Sequence, residues 1–405
     1  MARPSVLGMR LLHTSDWHLG RSFHGVGLLG AQAGHLDHLV DVVRGEGVDA
    51  VLVAGDVYDR AIPSPDAVDV LSDALVRLRE AGAEVVVSSG NHDSARRLAF
   101  GSPLLERAGV HLRTGVDDLA RPVLVRDAAI YPIPYLDPAS VSVTDPLGLT
   151  GRDARSHAAV LGAAMDRVRA DAAGRGPMTV VAAHCFAGAG AVSDSERDIS
   201  VGGVSVVPAA TFDGVAYAAL GHLHRPQQVT ETVRYCGSPV AMSFSEAGHT
   251  KGSLLVTLDE HGGASVEQVD APVERPLAVL RGTLEQLLTG PEHVGAERSW
   301  VQVTLTDPVP PRQAMERLRA RFPHALSLQL EPEGAPVEVR RRARVVRGRP
   351  PIEVCADFVA DIRPGAPVGD AERGLLTEAL DAIRGQHAEA DDAGRGAGAA
   401  GRGAA

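Results

Sequence analysis

Residues 9–18 read MRLLHTSDWH and residues 50–56 read AVLVAGD. Each holds a short apolar run, Arg10–His13 in the first and Ala50–Ala54 in the second, that closes on polar or glycine residues. Runs of this length bounded by turn signals read as buried strands. The construction returns at Glu84–Ser88, Thr179–Ala183 and Val215–Leu220. Between the second and third runs, Ser64-Pro65 offers an N-cap with proline at the first helical position. Val68, Leu71, Leu75 and Leu78 follow at helical spacing, so a helix there should cover a sheet face. The alternation over the first 275 or so residues makes an α/β or layered α+β domain the expected fold.

The 405 residues exceed the ~100–200 of one domain, so a large first domain and smaller appendages are expected. Hydrophobic residues at 44% and charged residues at 22% let most of the chain bury a core. A net charge of −11 excludes coating of nucleic acid by bulk electrostatics, so a phosphate substrate must be held locally. Cys185, Cys236 and Cys355 are odd in number and widely spaced, which argues against a disulfide framework and a structural zinc knuckle. No stretch approaches the ~20 apolar residues that cross a bilayer, and no signal-peptide segment precedes Met9, so a cytoplasmic protein without membrane contact is expected. The lone lysine, Lys251, is followed by Gly252, so no phosphate loop of the GKS/GKT kind can be written and any ATP is handled by a partner.

From about Pro276 the pattern changes. Pro276–Leu280, Ser299–Leu305 and Leu326–Leu330 read as strands and Pro311–Phe322 as a helix, a small separate α+β domain. Arg340, Arg341, Arg342, Arg344, Arg347 and Arg349 form a basic stretch, read either as a solvated linker or as a contact to a phosphate backbone. Helices near Ile352–Ile362 and Asp370–Arg384 carry apolar stripes, Val354, Phe358 and Ile362 in one and Leu375, Leu376, Leu380 and Ile383 in the other. Those stripes either dock on a partner or pack back on the small domain. The expected division is an extension over 1–8 with Met9 as the start, a catalytic domain over 9–275, a cap over 276–345, a linker with partner-binding helices over 346–386, and a disordered tail over 387–405.

Six polar clusters each follow an expected strand: Asp16-Trp17-His18, Gly55-Asp56, Gly90-Asn91-His92-Asp93, His184, Gly221-His222 and Leu223-His224. Loops at the carboxyl edge of a sheet commonly build sites. A mixture of imidazole and carboxylate suits Mn, Fe or Zn rather than the all-oxygen shells of calcium and magnesium. Two such ions roughly 3.5–4 Å apart need a bridging carboxylate, and Asp56, behind a glycine that frees the turn, is the best candidate. Asp16-x-His18 suits chelation of one ion; the two imidazoles of Gly221-His222-Leu223-His224 either share an ion or are divided between two.

This ordered pattern, D-x-H, G-D, G-N-H-[DE], H and G-H-x-H, resembles the calcineurin-like metallophosphoesterase superfamily. The resemblance implies two facing mixed β-sheets flanked by helices. It implies Asp16, His18 and His224 on a first metal, Asn91, His184 and His222 on a second, Asp56 bridging both, and His92 unligated as general acid. Water activated between the cations would attack phosphorus in line. Asp93 is either a partner orienting an imidazole or a carboxylate at a helix start.

Within the superfamily, HTSDWHLG over 13–20, AGDVYD over 54–59 with Pro63 after it, SGNHDS over 89–94, SDSER over 193–197, ALGHLHRPQ over 219–227 and YCGSP over 235–239 are similar to the bacterial SbcD family, continuously from Met9 to about Leu258. That resemblance implies an ATP-regulated DNA double-strand exonuclease and single-strand or hairpin endonuclease using two divalent ions, Mn2+ foremost, in DNA repair, recombination and replication. It further implies an SbcC-type coiled-coil ATPase partner and a homodimer within a heterotetramer. Rival readings are a metallophosphodiesterase of small phosphoesters or cyclic nucleotides and a non-catalytic scaffold. Asp59 stands where archaeal and eukaryotic relatives carry histidine and is kept as supporting, while Cys236 stands where serine is usual and reads as a small buried substitute. Trp17 either stacks near the site or wedges its loop against the core, and His35 and His38 read as a solvated helix face.

Overall fold

Alternation along the first strand, Met9–Thr14, sets the layering. Leu11 points one way into a core with Ala50, Leu52, Val86 and Val256, and Leu12 points the other way to helices. The computed structural model describes residues 8–144, 147–149, 156–188, 194–196, 206–333, 350–362 and 368–380. The expected extension before residue 8, the arginines of 340–349 and the tail from 387 lie outside the described residues.

One six-stranded sheet runs in the order Ala264–Asp270, Gly252–Leu258, Met9–Thr14, Ala50–Ala54, Glu84–Ser88, Val110–Arg113. Its last four strands are mutually parallel and its first two antiparallel. The second sheet runs Gln227–Gln228, Val233–Tyr235, Tyr217–Gly221, Thr179–His184, Ala128–Ile133, Val123–Val125, with parallel pairing through its centre. The sheets face each other across a core that draws Leu11, Leu52 and Val256 from one and Ile130, Val180 and Ala219 from the other. Helices α1, Leu29–Glu46, and α2, Pro65–Glu80, cover the outer face of the first sheet through Leu39, Val43, Leu71 and Leu78. The helix His157–Ala172 covers the second through Val160, Leu161 and Met165. The result is the expected α/β stack of two mixed sheets between helices.

His13 crosses between the sheets. Its Nε2–H donates to the Leu220 carbonyl at 3.1 Å, so its Nδ1 accepts from the Tyr217 hydroxyl at 2.9 Å. Ser64 caps α2 as expected, its Oγ accepting from the Ala67 amide at 3.3 Å. Of the expected stripe, Leu71 and Leu78 are buried and Leu75 packs partly buried on the core, whereas Val68 stays exposed and Ala67 and Ala74 complete the buried face.

The appended sheet Leu277–Gly282, Trp300–Leu305, Ala325–Leu330 is parallel. The helices Leu284–Thr289 and Ala314–Arg321 pack on one face through Leu284, Leu287, Leu318 and neighbouring Phe322. The expected helix start at Pro311 moves to Ala314, because Gln313 takes a left-handed φ of 51° before it. Leu277, Trp300 and Leu326 pack with Phe23, Leu28, Met242 and Phe244 of the stack. Residues up to Glu331 form one compact unit. In the second unit, Pro351–Ile362 is helical, as are residues 370–380. No helix among the described residues is long and apolar enough to cross a membrane.

His35 overturns the expected solvated face of α1. It is buried, as Leu36 and Leu39 of the same helix are, and neither ring nitrogen has a hydrogen-bond partner among the described residues. Burial, with His38 beside it, pushes the imidazole down to about 3. The folded chain therefore keeps His35 neutral while the unfolded chain protonates it, and stability drains away as pH falls below about 6.5. His35→Leu should raise unfolding free energy by about 1–2 kcal/mol at neutral pH by removing unpartnered nitrogens, with a larger gain near pH 5. Urea unfolding at the two pH values reads the difference, and an equal gain at both contradicts the assignment.

Candidate metal centre

Asp16 and His18 follow the strand Met9–Thr14, Asp56 follows Ala50–Ala54, and Asn91 and His92 follow Glu84–Ser88. From the other sheet, His184 ends Thr179–His184, and His222 and His224 follow Tyr217–Gly221. Five parallel strand ends thus deliver all eight side chains to one edge of the stack. The loops are fastened by the Asp16 amide donating to the Gly55 carbonyl at 3.1 Å and the His18 amide to the Asp56 carbonyl at 3.0 Å. The Asp16 carboxylate then reaches across the sheets to accept from the His222 amide at 3.0 and 3.1 Å.

Convergence this tight costs backbone strain. Asp16, His18, Asp56 and His222 have φ of 54°, 46°, 51° and 104°, a region that L-residues other than glycine seldom adopt. Two glycines answer to crowding: a Cβ on Gly90 would overlap the Asp56 carboxylate, and one on Gly221 would overlap the Ala54 carbonyl.

Asp56 is the hub. Its Oδ2 lies 3.6 Å from His18 Nε2, 3.4 Å from His184 Nε2 and 4.0 Å from His92 Nε2, while Oδ1 accepts from the His92 amide at 2.9 Å. His184 Nδ1 lies 3.0 Å from the Ala54 carbonyl, so Nδ1 carries the hydrogen. Its Nε2 lone pair then faces two acceptors, Asp56 Oδ2 and Asn91 Oδ1, the latter at 2.8 Å. His18 Nε2 and His224 Nε2 face each other at 3.2 Å, and Asp16, His18 and His224 place one ligand atom each within 4.8 Å of one another. Asp16, Asp56 and His184 form a second such group. The His184 Nε2 lone pair, aimed at two oxygens in a buried pocket, is repelled unless a cation lies between them, so these residues fit divalent metal ions.

The electrostatics agree. Burial drives His18, His184 and His222 down, toward the neutral form that ligates. Burial first, and the neighbouring Asp56 charge second, raise the Asp16 carboxyl well above its ordinary value. Cations held here would reverse that penalty.

His92 sits beside this pocket. Its Nδ1 lies 2.8 Å from the Asp59 carbonyl, an acceptor, which leaves Nε2 on the Asp56 side. Asp59 lies 3.8 Å from His18 Nδ1 and pairs with Arg21 at 3.3 Å. Asp93 accepts from the backbone amides of Gly90, Val57 and Tyr58 at 2.9, 3.1 and 2.9 Å, so it ties two site loops together through backbone rather than through an imidazole. Trp17 is the wedge of the two readings, buried with its Nε1–H on Thr14 Oγ1 at 2.8 Å. Cys185 points away from the pocket into the helix-side core, and burial pushes its thiol up to about 12. Cys236 is buried against Ser15 Oγ at 3.1 Å and its thiol is likewise raised by burial.

Several supports escaped the pattern reading. Gln32 of α1 donates to the carbonyls of Trp17 and His18 at 2.9 and 2.7 Å. Ser195 Oγ meets His224 Nδ1 at 2.7 Å, Glu196 accepts from the His224 amide at 2.6 Å, and a buried pair, Glu246 and Lys251, lies behind them. Burial alone would raise the Glu246 carboxyl; His224 and the Lys251 charge outweigh it and hold the group well below the ordinary range.

Comparison with known proteins matches residues 9–226 to the family described as calcineurin-like phosphoesterase and residues 273–362 to one described as type 5 capsule protein repressor C-terminal domain. The D subunit of nuclease SbcCD from Escherichia coli K12 is 34% identical over 358 residues, covering 84% of this chain and 87% of its own length. The protein of the same name from Escherichia coli O157:H7 matches to the same extent. A dimetal phosphatase from Danio rerio aligns over 64% of this chain and 98% of its own, at 12% identity and a TM-score of 0.38.

Because burial and the Asp56 charge raise the Asp16 carboxyl, metal loading should release protons, and affinity should fall as the pH is lowered. Calorimetric titration in two buffers of different ionisation enthalpy measures the release; identical heats in both would contradict it.

Proposed function

The chain belongs to the calcineurin-like phosphoesterase family, in its SbcD branch, and from that premise we propose that it is the nuclease subunit of an SbcCD-type complex that hydrolyses DNA phosphodiester bonds at a two-metal centre. The observation that carries this conclusion is Asp56 Oδ2, flanked by His18 Nε2 and His184 Nε2 at 3.6 and 3.4 Å, the disposition a bridging carboxylate requires. Asp16, His18 and His224 would hold one ion and Asn91, His184 and His222 the other, with Asp56 shared. The mixed nitrogen and oxygen donors favour a transition metal, here Mn2+.

When bound, the pair of cations supplies an activated water and charge neutralisation at the phosphoryl oxygens. The chain's own residues do the rest. His92 keeps the proton of Nδ1 on the Asp59 carbonyl, so a second proton at Nε2 is the one available to the leaving oxygen. Asp59, paired with Arg21 and Arg60 at 3.3 and 3.5 Å, anchors that carbonyl. The substrates are DNA ends and hairpins, cut in repair, recombination and replication in the cytoplasm. ATP is used by an SbcC-type coiled-coil partner. Phe358 and Leu375, exposed at 64% and 67%, supply apolar surface for it on the C-terminal helices.

A second copy of the chain fits another surface. Between α2 and the short helices α3, Ala95–Leu98, and α4, Ser102–Arg107, lies an open cavity of about 730 Å³ lined by Ile62, Val68, Leu75, Val76 and Phe100. Ile62 and Phe100 are 70% and 87% exposed. Apolar surface of this extent on paired helices supports a homodimer.

His92→Gln should lower kcat for Mn2+-dependent hairpin cleavage by about 10²–10⁴-fold while calorimetry finds Mn2+ binding intact. Cleavage at the parental rate would remove His92 from the chemistry. Phe100→Asp should turn a dimer into a monomer by sedimentation without loss of thermal stability, since Phe100 is 87% exposed; a dimer of undiminished strength would move the interface elsewhere.

A further inference from the structure

The sole lysine of the chain is buried, and it is not spent on phosphate. Lys251 Nζ donates to Glu246 Oε2, to Ser238 Oγ at 2.9 Å and to the His224 carbonyl at 2.9 Å, which uses all three of its hydrogens. Glu246 is almost fully buried. Its other oxygen, Oε1, accepts from Ser195 Oγ and lies 3.5 Å from His224 Nδ1. Ser195 has a single hydrogen. Given to Glu246, it leaves the hydroxyl oxygen to accept from His224 Nδ1 at 2.7 Å, so Nδ1 must carry the imidazole proton and Nε2 must present its lone pair toward His18.

We propose that Glu246, held by Lys251 and acting through Ser195, is the positioning residue of His224, fixing the tautomer and ring orientation in which Nε2 can ligate a metal ion. The assignment rests on the reading of His224 as a ligand given above. The fold alone does not call for such a pair, since a buried ion pair costs about as much in lost hydration as it returns, and apolar residues of similar volume commonly replace it without loss. What it does here is directional. The pair grips His224 at its carbonyl, through Lys251, and at its ring, through Ser195, while Glu196 holds the amide. Partners of this kind around ligating imidazoles typically contribute 10–100-fold in metal affinity.

The test uses the full chain. In Glu246→Met/Lys251→Met, both charges leave together, so no unpaired charge stays buried. Calorimetry with Mn2+ should show the site containing His224 weakened about 10–100-fold. Long-range ¹H–¹⁵N spectra of metal-free, ¹⁵N-histidine-labelled protein, assigned through His224→Gln, should show His224 shifting from the Nδ1–H form toward the Nε2–H form. Glu246→Gln/Lys251→Met retains an acceptor oxygen and should restore the tautomer and most of the affinity. A folded Met/Met variant with parental tautomer and parental affinity overturns the proposal. Should that variant fail to fold, Ser195→Ala carries the test, with a loss of about 2–10-fold expected and an unchanged tautomer and affinity overturning it. His224→Gln separates the two levels: if it too binds two Mn2+ ions at parental strength, the ligand reading itself fails, whereas its loss beside an unaffected Met/Met variant rejects the positioning role alone.

Discussion

Imidazole lone pairs and carboxylate oxygens converge on Asp56 more closely than neutral acceptors tolerate, and most of the surrounding architecture exists to enforce that convergence. Asp56 Oδ2 meets ring nitrogens from both sheets, and the Asp16 carboxylate spans the same gap to the His222 amide. Each left-handed non-glycine residue in these loops costs about 1–3 kcal/mol, a cost that only a rigid scaffold can sustain. The scaffold is the face-to-face pair of sheets, whose shared core is pinned near the site by His13 bridging to Tyr217 and Leu220. Divalent cations held between the converging groups would relieve the repulsion.

The loop that carries Asp16 and His18 is also continuous with the seam to the appended sheet. Arg21, three residues past His18, donates to the Ser195 carbonyl at 2.9 Å and pairs with Asp59. Phe23 and Leu28 then turn outward to pack with Trp300, Leu277 and Leu326, with Phe23 and Trp300 ring centroids 5.7 Å apart. A strand-end loop that carries Asp16 and His18 at one end thus forms the contact to the appended sheet at the other, with α1 closing it through Gln32.

Strand positions were legible because apolar runs buried on both sides leave little ambiguity: Ala50–Ala54 and Glu84–Ser88 fall where composition put them. The gathering of the site side chains was legible from order and spacing. Less visible was everything decided by three-dimensional neighbours. His35 reads as polar and is buried without a partner, because period alone cannot tell which of two adjacent stripes meets the sheet. Asp93 reads as a helix-start or imidazole carboxylate, yet three backbone amides claim it. Ser195 and Glu196 stood in a recognised motif with no role that spacing could assign. Glu246 and Lys251 left only one trace, the rarity of lysine in a chain otherwise supplied with arginine.

That rarity has a chemical corollary. With Lys251 enclosed at 5% exposure, the folded protein offers no side-chain primary amine to solvent. Reagents and enzymes that acylate ε-amino groups find no accessible acceptor there. Any cationic contact that this chain's side chains make to a phosphate would consequently be made by arginine or by protonated histidine. Guanidinium is planar, bidentate and charged at any physiological pH, so the arginine share of that grip would be geometrically selective and nearly indifferent to acidity.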